Sequence, residues 1–293
     1  MPTHMVEKRI GDIRIVGYSL AGEETVIGAP ELNICFDIGK APREVISLDH
    51  LCITHGHPDH TAGLHYYFTQ RYFIDNEPGT AYLPKHLLKP VQDLMEVWSK
   101  IEGRYTQANL VVATPDEDIK LRRDLILRPF EVNHGVPALG YSAIEVRNKL
   151  LPEFVDKTGP ELVALKKKGI PIEYRLEVPL ITYCGDTAPG DFLDRDHVRN
   201  SKIIFLECTF FDSEHVTRAR AGNHIHVRDL PDIMPRLRNP HIVLIHVTRR
   251  TFLRDAKRQL QEVLKPADLE RTSFLMDRNE ISRRRSQPHG KEH

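Results

Sequence analysis

A chain of 293 residues that is 40% apolar and 28% charged has the make-up of a water-soluble globular protein with a sizeable buried core. Lysine and arginine total 41, as do aspartate and glutamate, so the basic excess of a nucleic-acid-coating protein is absent and any such contact needs a local patch. No apolar run approaches the roughly 20 residues that span a bilayer, and the opening Met1-Pro-Thr-His-Met-Val-Glu-Lys-Arg9 lacks the apolar stretch of a secretory signal.

In chain order, short apolar runs rich in β-branched residues predict strands at Ile13 to Val16, Leu32 to Phe36, Leu51 to Thr54, Leu110 to Ala113 and Leu125 to Val132. Further runs follow at Tyr141 to Val146, Leu180 to Tyr183, Ile203 to Leu206 and Ile242 to Val247. Helical periodicity covers residues 60–70, 84–101, 160–169, 226–237 and 252–264. Strands thus come in an early and a later block, each with helices, which favours a layered α/β sandwich over a doubly wound parallel sheet. One domain is expected over residues 1–283, with 147–179 as an irregular excursion and 284–293 as a polar tail. Cys35, Cys52, Cys184 and Cys208 lie far apart in or beside apolar runs, with no C-x-x-C pair. They read as buried free thiols, which points to a reducing compartment and the cytoplasm. The basic runs Lys166-Lys-Lys168, Arg236-Leu-Arg238, Arg249-Arg250 and Arg283-Arg-Arg285 read, each by itself, as solvated surface.

The chemistry concentrates in His55-Gly-His-Pro-Asp-His60, between a strand and a helix. Imidazole nitrogens and carboxylate oxygens suit zinc, at about 2.0–2.2 Å. On a loop leaving a strand, His55 and His57 can turn to one side while Asp59 and His60 reach another, so that one loop feeds two metals. His134, Asp186 and His246 each end a predicted strand, where residues from different strands converge on one sheet edge. Alone, His134 would read as structural and Asp186 as a turn cap. With the loop, they complete a set of five histidines and two aspartates.

The order Thr54-His-Gly-His-Pro-Asp-His60, His134, Gly185-Asp-Thr187, His246 resembles that of the metallo-β-lactamase superfamily, over about residues 10–265. The resemblance implies a four-layer αβ/βα sandwich with two metal ions at one edge. His55, His57 and His134 would hold the first ion and Asp59, His60 and His246 the second, with Asp186 bridging. Two zinc ions are expected; manganese or iron suits the same ligands.

Three further segments resemble ribonuclease Z, the family that trims tRNA 3′ ends: His134-Gly-Val-Pro-Ala-Leu-Gly-Tyr141, Leu206-Glu-Cys-Thr-Phe210 with Asn223-His-Ile-His226, and His246-Val-Thr-Arg-Arg250. Residues 35–51 and the short spacing over 141–186 are similar to the plant short form, without the long arm of bacterial enzymes. By this resemblance Asp59 accepts a proton from the attacking water, Glu207 and His224 protonate the leaving ribose oxygen, and Arg250 contacts the phosphate. A homodimer is also implied. Glu207 reads equally well as the orienting partner of a ligating histidine. His226 reads better as structural. The chain departs from the family at Asn223, where glycine is usual, at Val247-Thr248, where Phe-Ser is usual, and at Thr251, where tyrosine is usual. Thr248 keeps a hydroxyl that can serve the substrate.

The implied activity is a phosphodiesterase acting on precursor tRNA. The alternative substrate for the same centre is a small molecule: a cyclic nucleotide, another phosphodiester or a lactone. A non-catalytic RNA-binding scaffold would be marked by missing ligands, and all seven candidates are present.

Overall fold

The computed structural model describes residues 5–278; the expected polar tail 284–293 and the run Arg283-Arg-Arg285 lie outside the described residues. Two sheets face each other. The first runs in the order β1 (Val6–Ile10), β2 (Ile13–Ala21), β3 (Glu24–Ala29), β4 (Ile34–Phe36), β5 (His50–Cys52), β6 (Thr80–Pro84) and β7 (Asn109–Ala113). The second contains β8 (Ile119–Arg122), β9 (Leu125–Val132), β10 (Ala138–Leu150), β11 (Glu173–Tyr183), β12 (Ile203–Glu207), β13 (His241–Ile245) and β15 (Thr272–Phe274), β15 lying beside β13 at one edge. The two-residue strand β14 (Val247–Thr248) follows β13 in the chain yet pairs in parallel with β2, so the chain crosses from one sheet to the other at His246.

Alternation along the strands explains the layering. Ile13, Ile15, Ile27, Phe36 and Cys52 of the first sheet meet Leu125, Leu127, Tyr141, Tyr183, Phe205 and Val243 of the second in the central core. The opposite face of the first sheet packs on the helices Leu64–Phe73 and Leu88–Glu102 through residues such as Tyr67, Phe68, Val91 and Met95. The outer face of the second packs on Ile233, Ala256 and Leu260. Helix, sheet, sheet, helix is the four-layer sandwich expected from the two strand blocks. Among the described residues no helix is long and apolar enough to cross a membrane.

Two expectations need correction. Residues 226–237 are not one helix but three consecutive helical turns, Val227–Asp229, Leu230–Ile233 and Met234–Arg236, interrupted by Pro231 and Pro235. Residues 147–179 are also more regular than their composition suggests. Strands β10 and β11 continue as an antiparallel ribbon out to the pair Leu150 and Glu173, and the helix Gly159–Lys167, opened by a Thr158–Glu161 capping box, sits at its tip. Lys166, Lys167 and Lys168 end that helix. All four cysteines are free and buried.

Candidate metal centre

Every candidate ligand lies just beyond a strand on one edge of the sandwich: the His55–His60 loop after β5, His134 after β9, Asp186 after β11 and His246 after β13. Local contacts lock these loops together. Asn133 N–H donates to Thr187 Oγ1 at 3.0 Å and Ala188 N–H to Asn133 O at 2.7 Å, which ties the His134 segment to the Asp186 segment. Gly185 takes φ +61°, and a Cβ there would stand 2.8 Å from Thr54 Cγ2, so only glycine lets the Asp186 turn lie against the first sheet. His246 itself takes φ +59°, an unusual conformation for a residue with a side chain. Its N–H is held by Ser19 Oγ at 2.9 Å.

The side chains converge in three overlapping groups. Donor atoms of His55, His57, His134 and Asp186 lie within 4.8 Å of one another, and so do those of Asp59, His60 and His246. A third such group joins Asp186 and His246 to His224. His55 Nε2 and His57 Nδ1 are 2.9 Å apart, and His134 Nε2 is 3.4 Å from His57 Nδ1. On the other side His246 Nε2 is 3.4 Å from Asp59 Oδ2 and 3.3 Å from Asp186 Oδ2. His60 Nε2 faces Asp186 Oδ1 at 3.4 Å. Both atoms are buried and neither has a hydrogen-bond partner. Lone pairs of nitrogen and carboxylate oxygen aimed at common points, with desolvated atoms otherwise orphaned, fit a pair of cations at this edge.

Electrostatics agree with that fit. Burial, then the charge of His60, pushes His55 down to about 2, and burial chiefly lowers His134, so both imidazoles are neutral, as metal ligation requires. Burial works against the charged forms of His60 and Asp186, yet Asp186 and Asp37 hold His60 well above its usual value, while His246 and His60 hold Asp186 well below its own. Buried carboxylates thus attract positive charge to this edge. Asp59 is likewise lowered, burial being outweighed by His246 and His60, and its Oδ2 accepts Gly22 N–H at 2.8 Å.

Glu207 and His224 come together at this edge. His224 Nδ1 is 2.7 Å from Glu207 Oε1, and the ring stands against those of His134 and His246 with centroids 5.3 and 5.5 Å away. Glu207 is fully buried and also accepts Thr187 N–H at 2.8 Å, Ile225 N–H at 3.2 Å and the Thr209 hydroxyl at 2.7 Å. The same carboxylate therefore forms a pair with His224 and reaches His246, since Thr209 Oγ1 is 2.9 Å from His246 Nδ1. His226 is structural: its Nδ1 accepts Arg228 N–H at 3.1 Å, its Nε2 donates to Asp212 O at 2.9 Å, and it caps the turn Val227–Asp229. Thr248 Oγ1 accepts Arg250 N–H at 3.2 Å and so shapes the turn that carries Arg250, which is exposed. Arg249 pairs with Glu23 instead of facing the centre.

Sequence reasoning missed Asp37. It is fully buried, with φ +50°, and its carboxylate receives Thr54 N–H at 2.8 Å, the Thr54 hydroxyl, the Tyr183 hydroxyl at 2.6 Å and His60 Nδ1 at 2.7 Å. The available signal was an aspartate directly after the apolar run Ile34–Phe36.

The comparisons with known proteins agree with this architecture. The beta-lactamase superfamily domain matches residues 35–247. The chain is 32% identical to tRNase Z TRZ1 of Arabidopsis thaliana over 82% of this chain and 87% of that one, and 32% identical to the chloroplastic tRNase Z TRZ2 of the same plant over 83% and 70%. Among solved structures, the short form of human tRNase Z superposes with a TM-score of 0.57 at 15% identity, covering 79% of this chain and 91% of that one. The metallo-beta-lactamase fold protein YhfI of Bacillus subtilis superposes with a TM-score of 0.60 at 11% identity, covering 87% and 93%; both likenesses concern the fold. With residues 35–247 matched by the superfamily domain and 32% identity to the plant proteins over most of this chain, the chain belongs to the beta-lactamase superfamily and, within it, to the tRNase Z family.

Proposed function

We propose that the protein is a metal-dependent endoribonuclease of ribonuclease Z type that removes the 3′ trailer of precursor tRNA. The observation that carries this reading is the Glu207–His224 pair, 2.7 Å apart and set directly against His134 and His246. A phosphodiester needs a proton on its leaving ribose oxygen, and a lactone does not need one at that place. The one-third identity to plant proteins named tRNase Z supports the same substrate class.

The nitrogen-rich donors suit two zinc ions. His55, His57 and His134 would hold one, Asp59, His60 and His246 the other, and Asp186 would lie between them. When bound, such a pair supplies a nucleophile from water at neutral pH and neutralises charge on the phosphoryl oxygens. The chain's own groups move the protons. Asp59, anchored by Gly22 and held ionised, would accept one from the attacking water. Burial works against protonation of His224, but Glu207 outweighs it and brings the group up to about 8, so at neutral pH its imidazolium is available to the leaving oxygen. Arg250 would reach the phosphate from a turn shaped by Thr248.

A homodimer fits the outer face of the first helical layer. Leu94, Val97 and Ile101 recur at helical spacing on the solvent side of Leu88–Glu102, and Phe73, Ile74 and Tyr105 extend the apolar surface. Arg104 lies over the rings of Tyr72 and Phe73 at 4.3 and 4.6 Å, which stiffens the patch. A second copy of the chain is the partner we assign to this surface. Four free thiols support a reducing compartment, and the cytoplasm is our reading for this chain.

The test is incubation of the zinc-loaded protein with a 3′-extended precursor tRNA, beside a chelated control. A single cut after the discriminator base, abolished by chelation, is expected. His224→Gln should lower kcat by about 10²–10⁴-fold with bound zinc unchanged. No cut by a protein that still hydrolyses bis(p-nitrophenyl) phosphate would replace tRNA with a small phosphodiester.

A further inference from the structure

The centre is held from behind by two buried carboxylates that work alike. Asp37 takes His60 Nδ1 directly at 2.7 Å and reaches His55 through a threonine: Thr54 Oγ1 is 2.9 Å from Asp37 Oδ2 and 2.9 Å from His55 Nδ1. Glu207 takes His224 Nδ1 directly and reaches His246 through Thr209, with distances of 2.7 and 2.9 Å. Each threonine stands between an acid and an imidazole.

The donors around Glu207 fix the direction of the second relay. Glu207 Oε1 accepts Thr187 N–H and Oε2 accepts Ile225 N–H, and backbone amides can only donate. Both oxygens are therefore acceptors, and the Thr209 hydroxyl must spend its one proton on Oε2. What Thr209 Oγ1 has left is a lone pair, so the contact to His246 needs the proton on His246 Nδ1. The other ring nitrogen, Nε2, is then unprotonated, and it faces Asp59 and Asp186. Thr209 is 2% exposed, so water does not substitute for the hydroxyl.

We infer that Thr209 is a positioning residue that fixes the tautomer and ring orientation of His246 and joins that ligand to the Glu207–His224 pair. The inference rests on the metal reading above but not on the identity of the substrate. It predicts that Thr209→Val, which keeps the shape and removes the hydroxyl, leaves His246 Nδ1–H and Glu207 Oε2 each short of a partner. Thr209→Ser keeps the relay.

Zinc affinity measured by chelator competition on the full-length protein tests this, with long-range proton–nitrogen correlation spectra of histidine-labelled, zinc-loaded protein as a second readout. Thr209→Val should bind one of its two zinc equivalents about 10–100-fold more weakly and lose the slowly exchanging Nδ1–H signal of His246, while Thr209→Ser retains both. Wild-type affinity and an unchanged His246 signal in Thr209→Val would overturn the inference, as would a serine variant no better than valine. Because neither readout involves RNA, failure to cut precursor tRNA leaves this result standing; a wild-type protein that takes up no zinc overturns the metal reading and this inference together.

Discussion

Asp37 and His60 are 23 residues apart in the chain and form a fully buried pair, Oδ2 to Nδ1, at 2.7 Å. The contact turns His60 so that Nε2 faces Asp186 at 3.4 Å. A carboxylate that orients a ligating imidazole also raises its basicity. Asp37→Asn removes the charge and keeps the shape, and asparagine tolerates the left-handed backbone of this position (φ +50°). We expect zinc affinity to fall by about 10–100-fold in this variant, with an unchanged circular dichroism spectrum. Equal zinc retention by the variant and the wild type would show that Asp37 only packs the seam.

His197 offers a pH-dependent stability effect away from the centre. Its Nδ1 is 2.9 Å from Ser142 Oγ, and burial, then Arg128 and Arg195, pushes it down to about 4. The unfolded chain takes up this proton near pH 6.5, where the folded protein refuses it. The contribution to stability is therefore complete above about pH 6.5 and is lost as pH falls toward about 4, on the order of 3 kcal/mol in all. Urea unfolding of chelated protein at pH 7 and pH 5 checks this: His197→Gln should lose less stability between the two than the wild type. Parallel losses would remove His197 from the account.

The apolar stripe of Leu88–Glu102 gives a third expectation. Ile101 is 65% exposed and lies near Tyr105, 77% exposed. Ile101→Lys should shift the protein from dimer to monomer in sedimentation velocity, with zinc content intact, because the side chain makes no contribution to the central core. A variant that sediments like the wild type would overturn the dimer contact proposed for this surface.

The central strands and the ligands were legible because each rests on a local pattern. β5, β9, β12 and β13 are apolar runs, and four of the ligands fall within six residues. What escaped either breaks the local apolar pattern or has partners far away in the chain. Val6–Ile10 carries Glu7, Lys8 and Arg9 at its centre and becomes a strand only by lying at the edge of the first sheet beside β2. Thr80–Pro84 ends in proline, yet pairs with β5 and β7 on either side. Asp37 receives the hydroxyl of Tyr183 from 146 positions away, and Thr209 meets His246 across 37. A buried aspartate or threonine after a strand looks like a turn residue until the fold supplies its donors.

The crossing of the chain at His246 has a mechanical meaning. β13 belongs to the second sheet and β14 to the first, so His246 sits on a stitch of backbone that joins the two sheets at this edge. Its fellow candidates are divided the same way, the His55–His60 loop springing from the first sheet and His134 and Asp186 from the second. An ion pair held by all of them would act as a rivet through both leaves of the sandwich. The edge that grips the substrate would then owe its rigidity to the cofactor, and loading with metal would be the last step of folding as well as the first step of catalysis.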